Sequence, residues 1–196
     1  MPTSPHQTLR TTKKTPVRVA VTGGIGAGKS EALEAFRRHG AAVLSSDAVV
    51  HRLYVEDTDV RAAIEERFST TDRGRIAEIV FSDPAALVWL EELLHPRVRA
   101  AYADWLAVVD TDVAVVEIPL LYETGAEATF DRVVVITAPE DVRRARRGGQ
   151  VGTRSTRLIP DEEKVRRADF AFVNDGTLDE LDAFVLTVLE RLQKDT

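Results

Sequence analysis

The octapeptide Gly23-Gly24-Ile25-Gly26-Ala27-Gly28-Lys29-Ser30 fits the pattern G-x-x-x-x-G-K-[ST]. An apolar run, Val17 to Val21, leads into it, and a helix-like run, Ser30 to His39, leaves it. That setting is what a phosphate-binding loop needs. Glycines let the backbone curl until successive N–H groups point inward at phosphate oxygens. The N-terminus of the outgoing helix adds a dipole that favours an anion. Lys29 is expected at the β/γ-phosphates of a nucleoside triphosphate, and the Ser30 hydroxyl on the Mg²⁺ that accompanies it. An ordinary Gly-rich turn is the alternative, and the flanking strand and helix argue against it.

Working outward, strand and helix signals alternate, the mark of an α/β fold with a mainly parallel sheet. Short apolar runs at Val17–Val21, Ala41–Leu44, Val113–Ile118, Arg132–Thr137 and Phe170–Val173 give five expected strands, covered on both faces by helices. Between the second and third strands, Ala48–Tyr54, Val60–Phe68, Arg75–Phe81, Pro84–Leu94 and Val98–Val109 all read as helical, with His95-Pro96 interrupting the series. A stretch this long is a subdomain rather than a loop. Asp83-Pro84 is a helix start, Asp as N-cap and Pro at the first helical position. Thr177-Leu178-Asp179-Glu180 forms a capping box before a helix whose Leu181, Phe184, Val185, Val188, Leu189 and Leu192 share one face. The expected organisation is a tail over residues 1–16 and one domain over 17–196. Within that domain the core takes 17–47 and 112–196, a helical insert about 48–110, and an Arg-rich lid about 143–160.

Composition narrows the function. A chain of 196 residues can bury roughly 70% of its unfolded surface and needs no staple. It has no cysteine, which excludes a disulfide scaffold and a Cys-ligated metal and suits a reducing cytoplasm. No apolar run approaches the ~20 residues of a membrane span, and the first 16 residues lack the apolar stretch of a signal peptide. The net charge of −6 argues against general nucleic-acid binding. Between Asp141 and Asp161, however, lie six arginines (Arg143, Arg144, Arg146, Arg147, Arg154 and Arg157) and no acid, a local polyanion contact in an acidic protein.

Several residues can carry chemistry. Asp47 follows the second strand, where ligands of open α/β sheets sit; it either accepts a proton from an attacking hydroxyl or caps a helix starting at Ala48. Glu117 ends the third strand at a Walker-B-like position and either organises Mg²⁺ or the acceptor, or pairs with an Arg for structure. Glu123 reads as fixing the loop that follows. The arginines after Pro139-Glu140-Asp141 either complement a helix dipole in solvent or form a lid that closes on a transferring phosphoryl group. With no second His or Cys in a ligand pattern, a zinc site is not expected at His95.

Together these strings resemble the dephospho-CoA kinase family, from Thr22 to about Leu181. Thr22 to Ser30, Asp47, Arg73 before Ile79-Val80-Phe81, and Leu90-Glu91-Glu92-Leu93-Leu94-His95-Pro96 carry the resemblance. So do Glu117-Ile118-Pro119-Leu120-Leu121-Tyr122-Glu123 and Ala168-Asp169 leading to Asn174-Asp175-Gly176. The resemblance implies a P-loop kinase-like fold and transfer of the ATP γ-phosphate, with Mg²⁺, to the ribose 3′-hydroxyl of dephospho-CoA. It implies Asp47 as general base, with Lys29 and Arg146 at the phosphates. Gly23 to Glu31 would hold the nucleotide, with Asn174 and Gly176 at the adenine rim. Arg73, His95, Glu117 and Glu123 would lie on the acceptor side, and no nucleic acid or membrane would be a partner. A cytoplasmic monomer is expected. The chain departs from the family pattern in Glu31 after the loop, in Ser45 for the first acid of D-A-D, in His51 for an expected Arg, in Leu158 for a Gln, and in a short lid where Arg154 is a further match. Another P-loop small-molecule or nucleotide kinase, or a nucleotide-binding regulator of weak activity, are the competing readings.

Overall fold

The computed structural model describes residues 15–148 and 158–194. Nearly all of the tail, and the middle of the expected lid with Arg154 and Arg157, lie outside the described residues.

Five parallel strands form one sheet in the order β2-β3-β1-β4-β5. They are β1 (Val17–Thr22), β2 (Ala42–Ser45), β3 (Val113–Glu117), β4 (Arg132–Thr137) and β5 (Phe170–Val173). Alternation along each strand sorts the side chains between two faces. Val19 and Val21 of β1, Val113 and Val115 of β3, and Val134 and Ile136 of β4 face one way. They meet Ala32, Leu33 and Phe36 of α1 (Lys29–Arg38) and Leu181, Val185, Val188 and Leu192 of α8 (Leu178–Lys194). Ala20, Ala114, Val116, Val133 and Val135 face the other way, against Val49 of α2 (Ser46–Glu56) and Val98, Tyr102 and Leu106 of α5 (Pro84–Val108). The α8 capping box is made in both directions: Thr177 N–H donates to Glu180 at 2.7 Å, and Glu180 N–H to the Thr177 hydroxyl at 3.2 Å.

The long stretch between β2 and β3 is entirely helical among the described elements: α2, α3 (Thr58–Phe68), α4 (Arg73–Ser82) and α5. Its own apolar cluster joins Val60 and Ile64 of α3, Ile76 and Val80 of α4, and Ala86, Leu90 and Leu94 of α5. The expected break at His95-Pro96 is corrected: one helix runs through it from Pro84 to Val108. Pro96 deletes a backbone donor in mid-helix, and the Arg97 guanidinium donates to the Leu93 carbonyl at 2.8 Å in that turn. Apolar anchors on either side, Leu90 and Leu94 in the insert and Val98 and Tyr102 in the core, outweigh the helix-breaking propensity. Among the described residues, two short α-helices, α6 (Glu140–Arg146) and α7 (Asp161–Arg167), and a 3-10 turn at Ala126–Thr129 complete the fold, α7 without a signal in the apolar periodicity.

Candidate active site

Every strand points its carboxyl end the same way, and the crevice beyond those ends is where open α/β sheets take ligands. The loop after β1 lies there. Gly23 sits at φ 145°, and a Cβ on it would run into the Ile136 carbonyl oxygen of β4. Gly28 sits at φ 97° as the N-cap of α1, and a Cβ on it would meet the Asn174 amide. Both positions therefore demand glycine on conformation and on space. Lys29, the first residue of α1, is buried and turns its ammonium back to the Gly24 carbonyl at 3.1 Å. Burial holds it below the ordinary lysine range, against the opposing pull of Glu117 first and Asp47 second. Ser30 and Glu31 are exposed in the first turn, and Glu31 adds an acid where the helix dipole favours one.

Glu117 closes β3 beside Val21 of β1 and Ser45 of β2. It is 5% exposed. Burial pushes its carboxyl above the ordinary range, offset in part by a hydrogen bond from Ser45 and by the Lys29 charge. The Ser45 hydroxyl donates to Oε2 at 2.9 Å, and the Ser46 hydroxyl donates to the Glu117 carbonyl at 2.6 Å. The structural pairing with an Arg, one of the two readings of Glu117, is thus replaced by two serines and a lysine field. The same bond explains why Ser45, the N-cap of α2, makes no side-chain cap.

Asp47 is not a cap for a helix starting at Ala48. The helix starts at Ser46, so Asp47 stands inside its first turn, exposed, near enough to Lys29 and Glu117 to act on the charge of each. One turn further along α2, His51 Nδ1 lies 2.7 Å from Arg73, whose guanidinium stacks over the Tyr54 ring at 5.4 Å. Asp47, His51 and Tyr54 are spaced four and three residues apart and so share one helix face. Arg73 is therefore brought to the Asp47 side of α2. His95 lies half-buried in mid-α5, where burial lowers its pKa between Glu91 and Arg99. No hydrogen bond or ion pair among the described residues joins it to the phosphate loop.

Three further site residues have structural partners. Asn174 is 2% exposed. Its amide donates to the Ala27 carbonyl at 2.8 Å, and its N–H to Thr137 at 2.7 Å. It braces the loop from behind. Gly176 is beside the α8 capping box, where a Cβ would collide with the Glu180 carboxylate. Glu123 ties down the segment after β3, in line with its reading as a loop-fixing residue: Oε1 takes the Lys164 ammonium at 2.8 Å and the Ile159 N–H at 3.1 Å. Lys164, 2% exposed, was invisible to sequence reasoning because its partner stands 41 residues away (164 minus 123) and no motif spans the two.

The arginines split into two kinds. Arg143 bridges Glu140 at 2.7 Å and Asp161 at 3.0 Å, and Arg147 pairs with Glu140 at 2.9 Å. Arg146 donates instead to the Gly26 and Ala27 carbonyls, each at 3.4 Å, and to Asn174 at 3.5 Å. Among the described residues these are all neutral acceptors, so its charge is not cancelled by a carboxylate.

The site is thus a glycine-lined loop with a buried lysine, an exposed and a buried carboxylate near enough to act on its charge, and an arginine on the loop carbonyls. The sequence model described as dephospho-CoA kinase matches residues 17–180. The dephospho-CoA kinase of Cereibacter sphaeroides is 39% identical over 78% of this chain and 84% of its own length. That of Mesorhizobium japonicum is 38% identical over 89% and 96%. Among solved structures, TT1252 from Thermus thermophilus superposes with a TM-score of 0.76 at 31% identity, covering 91% of this chain and 99% of its own. The dephospho-CoA kinase from Campylobacter jejuni gives 0.69 at 27%, covering 92% and 98%. The chain belongs to the dephospho-CoA kinase family.

Proposed function

We propose that this kinase carries out the reaction of its family, phosphorylation of dephospho-CoA by ATP in coenzyme A synthesis, with Asp47 as base and Lys29 as the principal cation at the phosphates. The observation that carries this reading is the juxtaposition of the two: an exposed carboxylate opposite a buried lysine at the phosphate loop, close enough to act on its charge. Asp47 accepts the proton of the ribose 3′-hydroxyl as that oxygen bonds to the γ-phosphorus. The bond from γ-phosphorus to the β,γ-bridging oxygen breaks, and ADP leaves. Lys29, the loop N–H groups and Arg146 stabilise the charge that moves outward in this in-line transfer. Arg73 takes an anionic part of the acceptor one helical turn from Asp47, with His95 further along the insert.

The donor set of the Ser30 hydroxyl with the Asp47 and Glu117 carboxylates is all oxygen, the kind that Mg²⁺ accepts while keeping phosphate and water ligands. When bound with ATP the ion supplies neutralisation of phosphate charge. Ser30 would hold it directly, with Glu117 behind. No helix among the described residues is long and apolar enough to cross a membrane.

The test is an acceptor screen. Incubation with ATP, Mg²⁺ and dephospho-CoA is expected to give coenzyme A and ADP. Turnover with a nucleoside monophosphate or a sugar, but not with dephospho-CoA, would replace this reading by another P-loop kinase. ATP binding without transfer to any acceptor would support a nucleotide-binding regulator.

A further inference from the structure

Helix α6 is seven residues long and buries none of them. A helix of two turns with no apolar face does not hold itself in place. Yet it lies on the phosphate loop: a Cβ on Gly24 would strike the Arg143 guanidinium, and one on Gly26 would touch the Arg143 backbone. Something outside α6 must seat it there.

That support is α7. Its first residue, Asp161, holds Arg143 at 3.0 Å. Three residues on, the buried Lys164 is paired with Glu123 in the segment after β3 at 2.8 Å, and Glu123 also takes the Ile159 N–H. At the far end of α7, Arg167 lies over the Tyr122 ring at 4.2 Å and pairs with Glu127. α7 is thus pinned at two points to the segment following Glu117, and it reaches the phosphate loop through one ion pair.

Arg143 is a poor candidate for a phosphate ligand, because both of its terminal nitrogens already meet carboxylates. Arg146, three residues later on α6, is the one aimed at the loop without a carboxylate on it among the described residues. We propose that Asp161 is a positioning residue: anchored by the Lys164–Glu123 pair, it holds Arg143 and so seats α6, which aims Arg146 at the phosphates of the bound nucleotide. The proposal rests on the reading of residues 23–30 as the ATP phosphate loop. The opposed influences of Asp161 and Lys164 on the Lys29 charge place α7 close to the same site.

The experiment is a direct titration of ATP, without acceptor, into the wild-type protein, Asp161→Asn, Arg146→Ala and the double variant, with thermal melts alongside. Asp161→Asn is expected to weaken ATP binding about tenfold, and the double variant to bind no more weakly than Arg146→Ala alone. Such non-additivity marks two residues acting as one unit. Asp161→Glu should restore most of the affinity. Arg143→Gln removes the same pair from the other side, and it should copy Asp161→Asn if that variant folds poorly. Unchanged ATP affinity in Asp161→Asn and Arg143→Gln overturns the proposal, as do penalties that multiply in the double variant. A lowered melting temperature without coupling to Arg146 would make the pair merely structural and also overturn it. Failure of the wild-type protein to bind ATP would overturn the phosphate-loop reading itself, and the proposal with it. Binding of ATP with no transfer to dephospho-CoA would leave the titration fully readable.

Discussion

The Ser45 hydroxyl donates to the Glu117 carboxylate at 2.9 Å, joining the last residue of β2 to the last residue of β3. The position could have held a second acid, as the D-A-D pattern suggests. A serine there gives the buried Glu117 a donor instead of a like charge.

Ser45→Ala should therefore cost about 1.5 kcal/mol of unfolding free energy at pH 8, the typical worth of a hydrogen bond to a charged group. The bond favours the ionised form of Glu117, whose carboxyl is held above its ordinary range by burial. The cost is thus fully expressed above that raised value and shrinks as the pH falls through it. Urea unfolding of both proteins across pH 4–8 checks this. A cost that stays constant over the whole range would remove Glu117 ionisation from the account.

Lys29→Met should separate function from stability. Loss of the main cation at the phosphates is expected to lower kcat/KM for ATP about 10²–10³-fold. Thermal stability should rise by about 1 kcal/mol, because burial is the largest influence on this ammonium. The sign follows from linkage. A lysine lowered in the folded state penalises folding while it is charged, and the penalty is relieved as pH rises through its lowered value. The stabilisation should accordingly be present at pH 7 and fade on the alkaline side, read by calorimetric melts across pH.

For Asp47→Asn the expected pattern is a fall in kcat of about 10²–10⁴, in the range of general-base catalysis, with KM for ATP nearly unchanged. Asp47 is exposed and caps nothing, so stability should move by less than about 0.5 kcal/mol. Steady-state kinetics with a parallel denaturation curve decide the matter. A matching loss of stability would return Asp47 to a structural role.

Pro96→Ala addresses the helix that runs past its proline. If α5 is continuous in solution, restoring the missing N–H should raise stability by about 1–3 kcal/mol, the scale of a proline in a helix interior. Helical content by circular dichroism should not change. A break at Pro96 would instead show as a gain in helix signal on substitution.

Much of this molecule is legible along the chain, because local signals agree with the fold. The phosphate loop announces itself by glycine spacing, the five strands by short apolar runs, and α8 by a capping box whose two bonds both form. What the chain does not disclose shares a physical cause, partners far away in sequence. Pro96 looks like a stop until Leu90, Leu94, Val98 and Tyr102 are seen packed in two different clusters. Glu123 reads as fixing its loop, but the Lys164 that it holds is not legible beforehand, nor is the Ala27 carbonyl that lies under the Asn174 amide. Ion pairs and loop braces of this kind have no period or motif. Only the packed chain reveals them.

The unbroken course of α5 has a consequence for how this architecture can vary. An α-helix turns about 100° per residue. Leu94 faces the insert cluster and Val98 the core cluster on a single rod, so the count of residues between them sets the angular phase of one cluster against the other. Adding or removing one residue near Pro96 would leave both clusters able to pack, yet swing the insert by more than a quarter turn and carry Arg73 away from Asp47. This helix works as an index, and its register fixes where the insert carries Arg73 relative to Asp47.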